Sequence, residues 1–324
     1  MADNRDIWVF SEKTGLLGEL IAGARGLAGH AGGSVVALVL GPREEAGEAV
    51  ARGADKALWL GQPAPGVLVE DYVPTLLGLI KHLQPYALLI GATKRGQAVA
   101  GRLAASLDVT VLTDVLRFQF DGEALQAEHL IFGGGALRVD QPLAAPVLAT
   151  VAAGTFEPLA VDGSRQGDIT GCEFVAPEWR VTQLERKIRP PVSVDLAAAR
   201  RVVCAGRGLA KREHLALIEE LAQVLGAEVA CSRPLAEGLD WLPRERYIGI
   251  SGAHVKPELY LGVGVSGQVQ HTIGMSGSRV VVAINKDAHA PIFAQADYGV
   301  VGDLYAVVPA LIRAIRARKD KGSL

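Results

Sequence analysis

Short apolar runs alternate with amphipathic segments along most of this chain, and that alternation limits its possible folds more than any single motif does. Runs at 7-IWVF-10, 35-VVALVL-40, 57-ALWL-60 and 87-ALLIG-91 have strand length and are rich in leucine and β-branched residues. Helical spacing fills the intervals at about 16–29, 43–53, 73–83 and 97–107. A strand buried on both faces reads as a continuous apolar run, and a helix after each strand returns the chain for a parallel partner. The expectation is α/β: a mostly parallel sheet covered by helices.

After Val109 the pattern changes. From Thr110 to Glu157 short apolar runs are broken by 133-GGG-135, Pro142 and Pro146, which suggests antiparallel strands or a β-rich edge. The stretch 157–174 reads as loop, and 183-QLERKIRPPVSVDL-196 as a linker in which Pro190-Pro191 blocks helix. A domain boundary is placed there, giving domains of residues 1–190 and 191–324. A second alternation follows, with strands expected at 201–205, 227–231, 247–251, 259–265, 279–284 and 298–301 and helices at 211–225, 267–275 and 303–318. This is a smaller doubly wound parallel-sheet unit.

Composition narrows the function. The chain has 324 residues, enough for two domains, and a net charge of −2. It has no basic excess to neutralise a phosphate backbone, and its aromatic content of 5% offers few stacking platforms, so nucleic acid is not an expected partner. Three cysteines, Cys172, Cys204 and Cys231, lie far apart with no C-x-x-C, which reads as reduced thiols in a cytosol-like compartment. The histidines show no metal-ligand spacing, so no metal is expected. The start, MADNRDIWVFSEK, shows no signal-peptide pattern, and no apolar run reaches membrane-spanning length, so a cytoplasmic (bacterial) location without a transmembrane segment is expected.

Three glycine motifs compete as ligand loops. In 91-GATKRGQ-97 the P-loop spacing is present, but Gln97 and Ala98 replace the lysine and hydroxyl residue, so a strand-to-helix turn is the expected role. Gly262, Gly264 and Gly267 form G-x-G-x-x-G, with Asp287 after the next strand. A nicotinamide-type fingerprint needs its first glycine in the turn after the strand, whereas Gly262 and Gly264 fall inside LYLGVGV. The turn is then V-S-G, and residues Gln268 to His271 would open a helix whose amides and dipole favour a pyrophosphate. In 205-AGRGLAKRE-213, Arg207 lies between glycines at a strand end, and Arg233 follows the next strand in C-S-R-P. The C-terminal ends of parallel strands share one rim, so Arg207, Arg233, Ser251, Ser266 and Asn285 are expected to converge.

These residues resemble the α-subunit of electron-transfer flavoproteins. The similarity is carried by S-G-x-x-Q-H, A-I-N-K-D, A-P-I-F and A-D-Y-G-V-V-G-D-L in order within 258–311, extended by A-G-R-G-L and C-S-R-P-L, with G-A-T-x-x-G and 112-LTDV-115 as looser points in the first domain. The resemblance implies a nucleotide-hydrolase-like N-terminal α/β domain contacting a β-subunit, and a C-terminal domain binding FAD. It implies that Arg207 and Ser232 sit by the FAD and that Arg233 lies over the isoalloxazine. It puts a Ser251 hydroxyl near flavin N5, within Gly249-Ile250-Ser251-Gly252. Ser266, Gly267, Gln268, Val269 and Gln270 would surround the pyrophosphate and ribityl chain, His271 would approach the C2 carbonyl, and Asn285, Asp303 and Leu304 would hold the adenosine end. Many members have G-Q-T-G where this chain has G-I-S-G; together with C-S-R-P-L and V-V-G-D-L, this departure looks closer to the Fix-type branch, which serves nitrogen-fixation or carnitine and acyl-CoA redox pathways.

The resemblance further implies an electron carrier rather than an enzyme, with a flavoprotein dehydrogenase as donor and a quinone oxidoreductase as acceptor, and with bifurcation in some branches. A permanent arginine charge beside the flavin suits this role, because reduction leaves negative charge near N1 and the C2 carbonyl. The rival readings are an NAD-dependent dehydrogenase using the glycines at 262–267, and an adenine-nucleotide sensor built on the first domain.

Overall fold

The structure, a computed structural model, describes residues 4–122, 124–132, 135–179, 181–185 and 194–319. The chain divides into two compact units, Met1–Ile131 with Ala136–Arg186, and Lys187–Leu324 with Phe132–Gly135. The boundary expected at 190/191 lies outside the described residues.

In the first unit the expected alternation is present as β1 (Ile7–Phe10), α1 (Thr14–Ala31), β2 (Val35–Val39), α2 (Arg43–Ala51), β3 (Lys56–Trp59), α3 (Val73–Leu83), β4 (Ala87–Gly91) and α4 (Lys94–Leu107). β1, β2 and β4 are buried along their whole length, which is why they lack a polar face. Ile7 and Val9 pack with Leu20, Ile21 and Ala46 from α1 and α2. Trp8 and Phe10, on the opposite face, pack with Leu76, Val99 and Leu103 from α3 and α4.

The region after Val109 needs correction. β5 (Val111–Asp121), β6 (Ala124–Ile131) and β7 (Ala136–Asp140) do form an antiparallel edge. However, β8 (Val147–Val151) enters the sheet interior, parallel to both β4 and β5 and fully buried. The stretch read as loop contains β9 (Asp168–Gly171), which pairs parallel to β3 at the far edge. The nine strands run β7-β6-β5-β8-β4-β1-β2-β3-β9. A four-residue edge strand with little buried surface carries almost no hydrophobic period, so the sequence could not announce β9. At the end of β4, the Thr93 hydroxyl caps α4 by accepting from the Gly96 amide at 2.9 Å, as expected of a strand-to-helix turn.

The second unit has five parallel strands in the order β11-β10-β12-β13-β14. These are β10 (Arg201–Ala205), β11 (Glu228–Cys231), β12 (Leu259–Val263), β13 (Val281–Asn285) and β14 (Tyr298–Val301). One face packs on α5 (Leu215–Leu225) and α8 (Leu304–Lys319) through Ile218, Leu221, Val308 and Ile312. The other face packs Val202, Cys204 and Tyr260 against Ile248, Val255 and Ile292. Two expectations fail. Residues 247–251 form no strand: apart from isolated bridges from Tyr247 to Cys231 and from Ile248 to Ala253, they fold into a closed turn. Ala253 N donates to Tyr247 O at 2.7 Å and Gly252 N to Gly249 O at 2.9 Å, so backbone groups that a sheet would pair are satisfied locally. The helix expected over 267–275 is only α7 (Val269–Thr272), continued by a 3-10 turn at Ile273–Met275.

Candidate functional site

The strand order reverses between β10 and β12, because the chain leaves β10 for β11 on one side and returns to β12 on the other. At such a reversal two loops part beyond the strand ends, and ligands of open α/β sheets bind there. Here the two loops are both rich in glycine. Gly206 N donates to Val263 O at 2.8 Å, and Gly208 N to Gly264 O at 3.0 Å. A Cβ on Gly206 would land on the Gly264 carbonyl, and one on Gly208 would lie 2.8 Å from Gly264 Cα. Gly264 and Gly267 have φ of +66° and +83°. The loops therefore touch backbone to backbone, in conformations that favour glycine.

Gly262 is not part of this turn. It lies within β12, paired with Cys204 on one side and Ala283 on the other. The G-x-G-x-x-G consequently has its first glycine in the sheet, as expected, and does not make a nicotinamide-type turn; Gly264, expected in the strand as well, lies just beyond it in the turn.

Arg207, Arg233, Ser266 and Asn285 lie at or just beyond the C-terminal ends of β10, β11, β12 and β13, neighbours in the sheet. Arg207, Arg233 and Ser266 are exposed. Arg233 Nε binds Glu237 Oε2 at 2.7 Å, and Glu237 Oε1 lies 3.0 Å from Arg244 Nε. The Arg233 hydrogen bond is the main cause holding the Glu237 carboxyl below its ordinary value. Asn285 braces the loop: its Nδ2 donates to Val265 O at 2.8 Å and its Oδ1 accepts from Asp287 N at 3.0 Å. Ser251 does not follow a strand, because the strand expected before it is absent. Its hydroxyl lies 3.2 Å from Tyr247 Oη within the closed turn.

The remaining expected residues divide by exposure. Ile250, Gln268, Val269, Gln270 and Asp303 are exposed, whereas Ser232, Gly249, Gly267, His271 and Leu304 are buried and Gly252 is half-buried. Ile250 N donates to Gln270 O at 2.8 Å, tying the turn to α7. Asp303 Oδ1 accepts from Tyr305 N at 2.9 Å in the first turn of α8. The Leu304 side chain belongs to the core. With only four residues, α7 adds little of the helix dipole that was expected to favour a pyrophosphate.

His271 departs most from a surface ligand. Its ring is 7% exposed, and Nε2 lies 2.6 Å from the hydroxyl of the fully buried Tyr260 and 3.9 Å from Cys204 Sγ. Burial pushes its pKa down to about 4, weakly opposed by the Ile248 carbonyl. A neutral imidazole is therefore present at pH 7. Tyr260 and Tyr247 were missed as site residues; a tyrosine in an apolar strand carries no signal beyond core filling.

Comparison with known proteins agrees with this geometry. Residues 15–176 match the electron transfer flavoprotein domain and residues 195–276 the electron transfer flavoprotein FAD-binding domain. YdiR of Escherichia coli (strain K12), provisionally named an electron transfer flavoprotein subunit, is 42% identical over 96% of this chain and 98% of its own length. Protein FixB of Escherichia coli O139:H28 is 38% identical over 95% of this chain and 97% of its own. The chain belongs to the electron transfer flavoprotein family. It is an α-type member, and its second unit is the FAD-binding domain of that family.

The residues fit that cofactor. Among the described residues, the buried Ser232 Oγ has no hydrogen-bond partner, an expensive state unless a ligand supplies one. It stands at the end of β11, directly before Arg233. The glycine loops at 206–208 and 264–267 pack on neighbouring backbone where a Cβ would not fit, which fixes the course of the rim beside Arg207 and Ser266.

Proposed function

We propose that this chain holds FAD in a heterodimeric electron carrier completed by an electron transfer flavoprotein β-subunit. Electrons arrive from flavoprotein dehydrogenases of the acyl-CoA type and leave to a quinone oxidoreductase or another Fix-type partner, in a bacterial cytoplasm. The observation that carries this reading is the pair of glycine loops at the strand reversal, with Arg233 exposed on the same rim.

Bound FAD supplies a flavin ring that accepts and returns electrons. The protein's part is to bind it and bias its charge. Gly206 and Gly208 pack on the Gly264 backbone and so set where Arg207 leaves the rim. Ser266, Gly267, Gln268, Val269 and Gln270 present amides and side chains to the pyrophosphate and ribityl chain. Asn285 holds the carbonyl of Val265 in place, and with Asp303 and the Leu304 backbone it borders the adenosine end. Ser232 and the segment Gly249, Ile250, Ser251 and Gly252 border the ring, where Ser251 offers a hydroxyl. Arg233 carries a permanent positive charge toward the charge gained on reduction. Glu237 holds its guanidinium and offsets part of that charge.

A dehydrogenase reading lacks its turn, since Gly262 is in the strand. The test is anaerobic mixing of the αβ complex with a substrate-reduced acyl-CoA dehydrogenase. Bleaching of the complex's flavin, then recovery on adding a quinone oxidoreductase, supports the carrier. A flavin that no dehydrogenase of this class reduces contradicts the donor assignment.

A further inference from the structure

Tyr260 and Gly262 lie two residues apart on β12 and share one face of the strand. A Cβ at 262 would stand 3.1 Å from Tyr260 Cε1, so the glycine keeps clear the space along which the Tyr260 ring lies. The ring carries its hydroxyl to His271 Nε2, at 2.6 Å, in a region where Tyr260 is fully buried. We infer that Tyr260 is the positioning residue for His271: its phenol O–H donates to Nε2, fixing the imidazole in one orientation and in the neutral tautomer that carries its proton on Nδ1.

Two observations converge on that tautomer. Burial raises the phenol far above its usual range, so Tyr260 keeps a proton to donate. Of the acceptors beside it, Nε2 and the Cys204 sulfur, the ring nitrogen is much the stronger. Nδ1 makes no hydrogen bond among the described residues, so nothing at that end of the ring competes with Tyr260 for its orientation. The titratable groups at Nε2 are Cys204 from β10 and Tyr260 from β12, and burial raises both the thiol and the phenol, so both are uncharged at neutral pH. Among the described residues no carboxylate forms an ion pair with the ring. A fixed ring also fixes α7, whose Gln270 carbonyl holds the Ile250 amide. The consequence for the cofactor rests on the FAD reading of these loops: His271 offers the site a neutral ring of set orientation, leaving cationic character to Arg233.

The test is long-range proton–nitrogen NMR on the αβ complex carrying ¹⁵N-histidine, with His271 assigned by its absence in His271→Gln. At pH 7 wild type should show a single neutral tautomer with the proton on Nδ1. Tyr260→Phe should lower the tautomer ratio by about fivefold, the factor expected from one lost hydrogen bond, and raise the His271 titration midpoint. An Nε2–H tautomer or an imidazolium in wild type overturns the inference, even if Tyr260→Phe fails to fold. A wild-type tautomer that survives unchanged in Tyr260→Phe overturns it too. FAD content and midpoint potential of the variant separate the two readings: a lost lock with both unchanged leaves Tyr260 as positioning residue and removes His271 from the cofactor.

Discussion

The amide of Gly208 donates to the carbonyl of Gly264 at 3.0 Å, joining the two loops that leave β10 and β12. Neither loop has room for a side chain at this seam, because a Cβ on Gly206 would collide with that same carbonyl. Backbone cannot yield as a flexible side chain can, so Gly206→Ala is expected to cost at least the ~1–3 kcal/mol of an overpacked site. It should also lower FAD content in the purified complex. Thermal unfolding and flavin per complex check both, and full FAD loading at unchanged stability would contradict the seam.

Arg233 and Glu237 oppose each other's charge across 2.7 Å. Arg233→Ala should lower the midpoint potential of the bound flavin, and Glu237→Gln should raise it, each by tens of millivolts on the order of one tenfold step in equilibrium. Both side chains meet solvent, so salt should shrink both shifts. Spectroelectrochemical titration reads these values. Shifts of the same sign in the two variants would mean that the pair acts through structure and not charge.

His271 makes acid stability a specific expectation. Its folded pKa is about 4 against an ordinary 6.5, so below pH 6.5 the unfolded chain binds a proton that the folded chain does not. Its contribution is therefore fully present above pH 6.5 and is lost as pH falls toward 4, by up to about 3 kcal/mol. Urea midpoints between pH 7 and pH 4 should fall along this slope, and His271→Gln should flatten it while lowering stability at pH 7.

The cysteines should be inert in the folded protein. Burial is the main cause raising Cys204 far above its ordinary value, Cys231 up to about 12, and Cys172 by a smaller degree. The thiolate is the reactive form, so at pH 8 Cys204 and Cys231 should resist alkylation, while the half-buried Cys172 reacts slowly. All three should react after denaturation. Mass spectrometry counts the adducts, and rapid labelling of native Cys204 would contradict its burial.

Most of the fold was legible because buried parallel strands are written as unbroken apolar runs. β1, β4 and β10 lie where their runs lie, and α3 spans the expected 73–83. The failures share a cause. Tyr247 to Ser251 has the residues of a strand but satisfies its backbone within a turn, through contacts from Ala253 and Gly252 that no periodicity encodes. β8 joins the sheet interior because β4 leaves an open edge, which is a tertiary fact. In the site, residues set by chain position, such as Arg233 and Ser266, were readable from the strand ends. The partners of His271 were not, because Tyr260 and Cys204 meet it across strands.

FAD content of the second unit is the central claim, and it has a direct measurement. The αβ complex is purified, denatured, and its released cofactor identified by chromatography, in wild type and in Gly206→Ala. Wild type should release FAD, and the variant markedly less. A wild-type complex that releases no flavin, cannot be reconstituted with FAD and instead retains NAD or an adenine nucleotide would contradict the account.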